Sequence, residues 1–272
     1  MGYLTTDKKK ITAKTLLDMK AAGEKITQMT AYDFTTAGII DAAGIDSILV
    51  GDSASNVMAG NQDTTPITVD QMIYHARAVV RACHHCLVVC DMPFGSYQVS
   101  REDGIRNAIR IIKESGAGAV KMEGGKEISD TVKGIVDAGI PVIGHLGLTP
   151  QSIHKFGGYG LRAKEDTEAE KLIEDALALD AAGVSGITLE KVPAVLANKV
   201  TAMVKAATIG IGAGNGTDGQ VLVYADALGM TSEFKPKFLR HFANVNKCMT
   251  EGVMEYIRCV KSESFPSEAE SY

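Results

Sequence analysis

The chain has 272 residues, of which 45% are hydrophobic and 22% charged, and its formal net charge is −5. That composition is ordinary for a globular protein with a sizeable core, and the negative charge argues against a nucleic-acid-binding surface. No apolar run reaches the about 18 residues of a membrane span, and charges stand where a signal peptide would be apolar, so we expect a cytoplasmic protein.

The chain contains five cysteines, an odd number that suits reduced thiols better than a disulfide framework. Two of them enclose the segment Cys83-His84-His85-Cys86, which has the spacing of half a zinc site. No second pair follows at zinc-site spacing, and the segment precedes a predicted strand. The sequence alone therefore gives little support for a metal or redox role here.

Apolar runs typical of strands alternate with amphipathic segments of helical spacing along the chain. The predicted strands are 26–32, 47–51, 87–90, 119–122, 141–144, 186–189, 207–211 and 221–225. The predicted helices are 13–22, 68–82, 101–115, 127–138, 167–182 and 236–260. Ser100 is the predicted N-cap of the third of these helices.

Four junctions repeat the order helix, glycine, strand. Their glycines are Gly44, Gly116, Gly139 and Gly183, and each is followed within a few positions by apolar or β-branched residues. Glycine suits the position just past a helix because the left-handed conformation carries no Cβ penalty there. The repetition indicates βα units and a parallel sheet.

Eight such strands in about 250 residues predict a TIM (β/α)8 barrel. A doubly wound open sheet is the alternative, but the first strand lacks the Gly-x-Gly-x-x-Gly turn that this fold places after it. We predict a single barrel domain over residues 1–261, with an N-terminal helix and a C-terminal helical extension. The acidic segment 262–272 is predicted to be disordered.

Polar residues stand where the apolar runs stop, and Asp52, Asp91 and Glu123 follow three successive strands. Because the C-terminal strand ends of a TIM barrel share one face, these carboxylates should be neighbours. Grouped carboxylates repel one another unless a cation neutralises them, and oxygen ligands suit Mg²⁺. The alternative is that each acid caps a helix or pairs with a lysine or arginine.

Further strand ends carry Lys121, His145 and Glu190. Lys121 should share a face with Glu123, where it either binds a substrate carboxylate or forms a salt bridge with a neighbouring acid. Glu190 is the best candidate for a free base, and a surface salt bridge is its alternative. The glycine-rich IGAGNGTDGQ segment is either a phosphate-binding loop or a tightly packed connection.

The chain resembles the ketopantoate hydroxymethyltransferase family over about residues 10–261. The resemblance rests on seven ordered motifs, which are MTAYDF (29–34), VGDSASNVMAG (50–60), DMPFGSYQ (91–98), VKMEGG (120–125), GHLGLTPQS (144–152), ITLEKVP (187–193) and IGIGAGNGTDGQVLV (209–223).

The resemblance implies a Mg²⁺-dependent TIM barrel, usually a homodecamer. Such enzymes transfer a hydroxymethyl group from 5,10-methylenetetrahydrofolate to 3-methyl-2-oxobutanoate through a Mg-stabilised enolate, giving 2-dehydropantoate for pantothenate synthesis. It assigns the metal to Asp52, Asp91 and Glu123. It assigns ketoacid binding to Asp52, Ser53, Asp91 and Lys121. It assigns catalysis to Glu190, as the proton acceptor, and to the motif histidine His145, which either supports Glu190 or binds substrate.

The residues alone also allow two other functions. One is a different Mg²⁺-dependent ketoacid enzyme of the phosphoenolpyruvate mutase and isocitrate lyase kind, which would place a reactive cysteine in a strand-end loop. The other is a non-catalytic barrel, which would lack one or more of the acids. The GHLGLTP and MEGG segments contain no cysteine, and Asp52, Asp91, Glu123 and Glu190 are all present.

Overall fold

Eight parallel strands close into a barrel in the computed structural model, which describes residues 10–231 and 235–272. Each strand pairs with its neighbours in chain order, and the last pairs with the first. The strands are β1 (Ile26–Thr30), β2 (Ser47–Val50), β3 (Leu87–Asp91), β4 (Ala119–Glu123), β5 (Val142–Gly147), β6 (Gly186–Glu190), β7 (Ala207–Ile211) and β8 (Gly219–Leu222). The predicted TIM barrel is confirmed.

Helices follow most of the strands. They are α1 (Ala13–Ala22), α2 (Phe34–Ala42), α3 (Ala54–Val57), α4 (Val69–Ala82), α5 (Arg101–Ser115), α6 (Ser129–Asp137), α7 (Ile153–Phe156), α8 (Asp166–Ala182), α9 (Ala194–Met203), α10 (Tyr224–Ala227) and α11 (Val245–Lys261). Short 3₁₀ turns span Lys126–Ile128, Pro150–Ser152 and Glu268–Glu270. Within the described part of the chain, no helix has the length and apolar character needed to cross a membrane.

Apart from the last helix, the predicted helix boundaries hold within two residues because the signals at the helix ends are local. Ser100 accepts a hydrogen bond from the backbone N–H of Asp103 at 3.1 Å and caps α5 as predicted. The four junction glycines all have a positive φ, between 80° and 91°. Each helix can therefore end and turn into its strand without the strain that a Cβ would add.

Several boundaries differ from the prediction, and the cause is identifiable for two elements. β8 lies at 219–222 instead of 221–225, because Gly219 and Gln220 already pair with Ile26 and Thr27 of β1. The last helix begins at Val245 instead of residue 236, because Asn244 accepts a hydrogen bond from the N–H of Lys247 at 3.2 Å and caps it. Strand pairing sets the start of β8, and a capping residue sets the start of α11. The pattern of apolar residues contains neither signal.

The N-terminal end of the barrel is closed by α1. Leu16 of this helix is 1% exposed and belongs to one buried cluster with strand residues that include Ile26, Leu87 and Ile209. Lys20 also donates to the backbone oxygens of Thr201 and Ala206. The predicted N-terminal helix therefore covers one barrel end, which leaves the opposite end for a site.

The described residues form two compact units that divide after Leu222. The first holds all eight strands, and the second holds α10 and α11. The predicted domain boundary at residue 261 and the predicted disorder of residues 262–272 stay predictions.

Candidate active site

Three acids from successive strands meet at the C-terminal end of the barrel. Asp91 and Glu123 are the last residues of β3 and β4, and Asp52 comes two residues after β2. They are 2%, 6% and 4% exposed. The backbone N–H of Asp52 donates to Asp91 Oδ2 at 3.0 Å. The strand ends therefore bring the predicted acids to one buried rim.

Lys121 lies among these acids, as its alternation with Glu123 on β4 predicted. Its Nζ is 3.1 Å from Asp91 Oδ1 and 3.7 Å from Glu123 Oε1. Burial lowers the pKa of Lys121, but Asp91 and then Glu123 raise it above its ordinary value. Lys121 therefore remains a buried cation, which pairs chiefly with Asp91.

His145 of β5 connects this group to Glu190 at the end of β6. Its Nδ1 is 3.1 Å from Lys121 Nζ and 3.2 Å from Glu123 Oε1, and its Nε2 is 3.4 Å from Glu190 Oε2. Burial, followed by the charge of Lys121, lowers the pKa of His145. A neutral ring accepts from the lysine at Nδ1, so its remaining proton is assigned to Nε2, facing Glu190.

The acids carry more negative charge than Lys121 compensates. Burial, followed by the charges of Glu123 and Asp91, raises the pKa of Asp52 well above its usual range. Burial is also the main reason that the pKa of Glu123 rises to about 7, although Lys121 opposes this. A divalent cation would relieve the repulsion, so the donor set fits a hard ion such as Mg²⁺.

The three acids do not form a ready-made set of direct metal ligands. Within the described residues, the one group of three ligand atoms that all lie within 4.8 Å of one another is formed by other residues, Asp41, Cys83 and Cys86. Asp52, Asp91 and Glu123 are further apart than such a group. Mg²⁺ usually retains several waters and is held by few direct carboxylates, which suits this spacing.

Gln151, in the turn after β5, is a site residue that the sequence did not reveal. Its Nε2 donates to Asp52 Oδ2 at 2.8 Å and to Met92 O at 2.9 Å, and its backbone N–H donates to Glu123 Oε2 at 2.9 Å. The hydroxyl of Tyr97 donates to its Oε1 at 2.7 Å. An uncharged amide in a loop gives no signal of periodicity or charge. The sequence pointed to Gln151 only as part of the motif GHLGLTPQS, and to Tyr97 only as part of the motif DMPFGSYQ.

Ser53 is held beside the acids by Tyr32, which lies in the loop after β1. Its Oγ is 2.7 Å from the hydroxyl of Tyr32. A Cβ at Gly51 would lie 2.6 Å from Ser53 Oγ and 3.7 Å from Asp91 Oδ2. Gly51 therefore leaves the space that the serine hydroxyl occupies. The neighbouring Asp33, by contrast, caps α2 through the N–H of Thr36 at 2.8 Å.

A cavity of about 600 Å³ opens beside Glu123 and Gln151. Its wall includes the aromatic rings of Phe94 and Phe156 and the cationic side chain of Lys155. The size and the mixture of apolar wall with a few charged groups are typical of a site for a small organic ligand.

The glycine-rich segment after β7 is packed closely against its neighbours. A Cβ at Gly216 would overlap the side chain of Asn198 at 1.3 Å, and one at Gly214 would lie 2.5 Å from Ala194. These contacts explain the glycines by tight packing and favour the second of the two interpretations for this segment.

Comparisons with known proteins agree with this geometry. A family model described as ketopantoate hydroxymethyltransferase matches residues 10–268. The 3-methyl-2-oxobutanoate hydroxymethyltransferase of Flavobacterium johnsoniae is 60% identical over 272 residues, which is 100% of both chains. The enzyme of the same name from Bacteroides fragilis is 57% identical over 271 residues, 100% of this chain and 99% of the relative.

Similar solved structures include phosphonopyruvate hydrolase in complex with oxalate and Mg²⁺, with a TM-score of 0.62, 12% identity and coverage of 96% of this chain and 93% of that one. Another is 2,3-dimethylmalate lyase, a member of the PEP mutase/isocitrate lyase superfamily, with a TM-score of 0.60, 15% identity and coverage of 94% and 90%. At these identities the structures share the fold alone. The family model and the full-length relatives go further, and the chain belongs to the ketopantoate hydroxymethyltransferase family.

Proposed function

We propose that this protein transfers a hydroxymethyl group from 5,10-methylenetetrahydrofolate to 3-methyl-2-oxobutanoate, giving 2-dehydropantoate for pantothenate and coenzyme A synthesis. The observation that carries the residue assignment is the contact chain from Lys121 through His145 to Glu190, beside three buried carboxylates. It places Lys121, a cation that can bind the substrate carboxylate, at the same site as Glu190, a base that can remove a proton from carbon.

Asp52, Asp91 and Glu123 would hold Mg²⁺. The ion supplies a Lewis acid for the carboxylate and keto oxygens of the ketoacid. Support comes from the burial of the three acids and from the raised pKa of Asp52 and Glu123, which a cation would lower. A fold neighbour, phosphonopyruvate hydrolase, was solved with Mg²⁺ and oxalate.

Lys121 and Ser53 orient the ketoacid, together with Asp52 and Asp91. Lys121 pairs with Asp91 at 3.1 Å, and an ammonium with three donors can keep this partner while it binds a substrate carboxylate. The Ser53 hydroxyl is held by Tyr32 at 2.7 Å, so its position does not depend on substrate. Holding the carboxylate at these points directs the C3 hydrogen of the ketoacid toward the base.

Glu190 removes the C3 proton as general base. Its side chain is 16% exposed, so it reaches the open part of the site while the other acids stay buried. His145 Nε2 lies 3.4 Å from Glu190 Oε2 without a hydrogen bond between them in this structure, and its proposed role is to position this carboxylate once substrate is bound. The carbon that loses its proton then attacks the methylene carbon of the folate as one of its two carbon–nitrogen bonds breaks. Water replaces the second nitrogen, which gives the hydroxymethyl group and releases tetrahydrofolate.

The cavity beside Glu123 and Gln151 is the proposed position of the folate donor. Phe94 and Phe156 offer apolar surface for a flat ring, and Lys155 offers a cation for a carboxylate. We further propose a cytoplasmic homo-oligomer, with ten subunits by family resemblance. Native mass spectrometry measures that number directly.

Two assays test the proposal. With Mg²⁺ and no folate, the enzyme should exchange the C3 proton of 3-methyl-2-oxobutanoate with D₂O, as followed by proton NMR. Glu190→Gln should abolish the exchange while ketoacid binding persists, whereas the exposed Glu174→Gln on α8 should change neither. With folate, the wild-type enzyme should form 2-dehydropantoate, and a chelator should stop both reactions.

The outcomes separate the alternatives. Mg²⁺-dependent exchange without any folate-dependent product would favour a different Mg²⁺-dependent ketoacid enzyme, of the phosphoenolpyruvate mutase and isocitrate lyase kind. Absence of exchange and of product would favour a non-catalytic barrel. Full exchange by Glu190→Gln would remove Glu190 from the role of base.

A further inference from the structure

A second group of potential metal ligands lies at the N-terminal end of the barrel, away from the acids. Asp41 belongs to the last turn of α2, Cys83 caps the end of α4, and Cys86 immediately precedes β3. Their carboxylate oxygen and two sulfurs all lie within 4.8 Å of one another. The three residues are 9%, 4% and 0% exposed.

The carboxylate of Asp41 is fixed in place by the loop that carries the two cysteines. Its Oδ2 accepts the backbone N–H of His84 at 2.9 Å, and its Oδ1 accepts that of Cys86 at 2.9 Å. The N–H of His85 is shared between both oxygens at the longer distance of 3.3 Å. Hydrogen-bonded carboxylates are usual among metal ligands, and the longer bonds can yield one oxygen to an ion.

Three protein donors leave one position of a tetrahedral ion open. His85, in the same loop, is not part of the group whose ligand atoms lie within 4.8 Å of one another, so a water molecule would take that position. Two cysteines and one carboxylate are donors that zinc accepts.

We propose that Asp41, Cys83 and Cys86 bind a zinc ion, with a water molecule as the fourth ligand, in a site that ties α2 to the α4–β3 loop. In a tetrahedral site, zinc–sulfur bonds of about 2.3 Å place two sulfurs about 3.8 Å apart, which lies within the 4.8 Å limit of the observed cluster. The site forms when Zn²⁺ replaces two thiol protons, which are released to solvent. The site lies at the other end of the barrel from the proposed active site, so a negative result for zinc would leave the proposed function unaffected.

Cobalt substitution tests the site in the full-length protein. With Mg²⁺ present in excess to occupy the acids, Co²⁺ should bind once per chain and produce the near-ultraviolet band of a cobalt–thiolate bond. Zn²⁺ should displace it and abolish the band. Absence of a thiolate band in folded wild-type protein overturns the proposal, and this result needs no variant.

Variants then identify the ligands. Cys83→Ser combined with Cys86→Ser should lose the band, while Cys248→Ser, at an exposed cysteine of α11, should keep it. A band that persists in the double variant overturns the site. Asp41→Asn should raise the Co²⁺ concentration at half-saturation, and an unchanged value removes Asp41 from the ligand set. If the double variant does not fold, Cys86→Ser alone serves the same comparison.

Discussion

The side-chain amide of Gln151 donates to Asp52 Oδ2 at 2.8 Å, which joins the loop after β5 to the loop after β2. The backbone N–H of Gln151 also donates to Glu123 at 2.9 Å, so one residue holds two of the three acids. The Tyr97 hydroxyl donates to the amide oxygen and thereby directs the amide nitrogen toward Asp52. Gln151 is thus a positioning residue for the proposed metal site.

Replacing Gln151 should impair Mg²⁺ binding more than it impairs chemistry at saturating metal. Gln151→Leu removes the donor to Asp52 Oδ2 and leaves the Tyr97 hydroxyl only its bonds to the Glu123 backbone, which should cost about 1–3 kcal/mol of unfolding free energy. The Mg²⁺ concentration that gives half-maximal C3 exchange should rise, and urea unfolding should report the stability change. The exposed Gln62→Leu is the control. A stability loss with an unchanged Mg²⁺ dependence would show that Gln151 is only a structural residue.

The raised pKa of Glu123 predicts a pH dependence of stability without metal. Its folded-state pKa is about 7 against an ordinary value of 4.5, so between these values the native state keeps a proton that the unfolded state loses. This contribution is therefore present at low pH and is lost as pH rises toward 7, at about 1.4 kcal/mol per pKa unit.

Thermal unfolding of wild-type protein and Glu123→Gln across pH 4.5 to 7 checks this sign. The difference in melting temperature between the two should move in favour of the variant as pH rises. Mg²⁺ should stabilise the wild type most near the upper end, because it binds the ionised acid. A difference that does not change with pH would show that Glu123 is already ionised throughout.

A side chain at Gly51 should weaken ketoacid binding. A Cβ there would lie 2.6 Å from Ser53 Oγ, so Gly51→Ala has to displace the hydroxyl from its contact with Tyr32. The KM for 3-methyl-2-oxobutanoate should rise several-fold, with a smaller change in kcat. Gly252→Ala in α11 meets nothing within 4 Å and should leave both constants unchanged. An unaltered KM for Gly51→Ala would argue against ketoacid binding by Ser53.

Removing the buried cation should destabilise the protein and make it more dependent on Mg²⁺. Lys121→Met leaves Asp91 and Glu123 without their nearest positive charge, and breaking a buried ion pair costs about 3–5 kcal/mol. Calorimetry with and without Mg²⁺ measures both effects, and the ketoacid KM should rise as well. The matched Lys133→Met breaks only an exposed pair with Asp137 and should have little effect. If Lys121→Met is as stable as the wild type when both lack Mg²⁺, Lys121 is not the cation that stabilises the buried acids.

Much of the barrel was predictable because its signals are local. The glycines at 44, 116, 139 and 183 mark helix ends wherever they occur, and the Ser100 cap needs only its own first turn. The strand-end acids were predictable for a related reason, since every strand of this fold delivers its last residues to the same face. β8 and the start of α11 were misplaced because partners distant in the sequence or an unrecognised cap set them.

The sequence by itself determined which ionisable groups line the barrel rim, because strand periodicity decides what each strand end presents. Only the tertiary structure decided how they are connected: Lys121 pairs with Asp91, His145 joins Lys121 to Glu190, and Gln151 holds two acids. It also brought Asp41 to a cysteine pair that looked incomplete along the chain. These contacts join loops and strand ends that are far apart in sequence, and loop conformation depends on packing against the whole barrel.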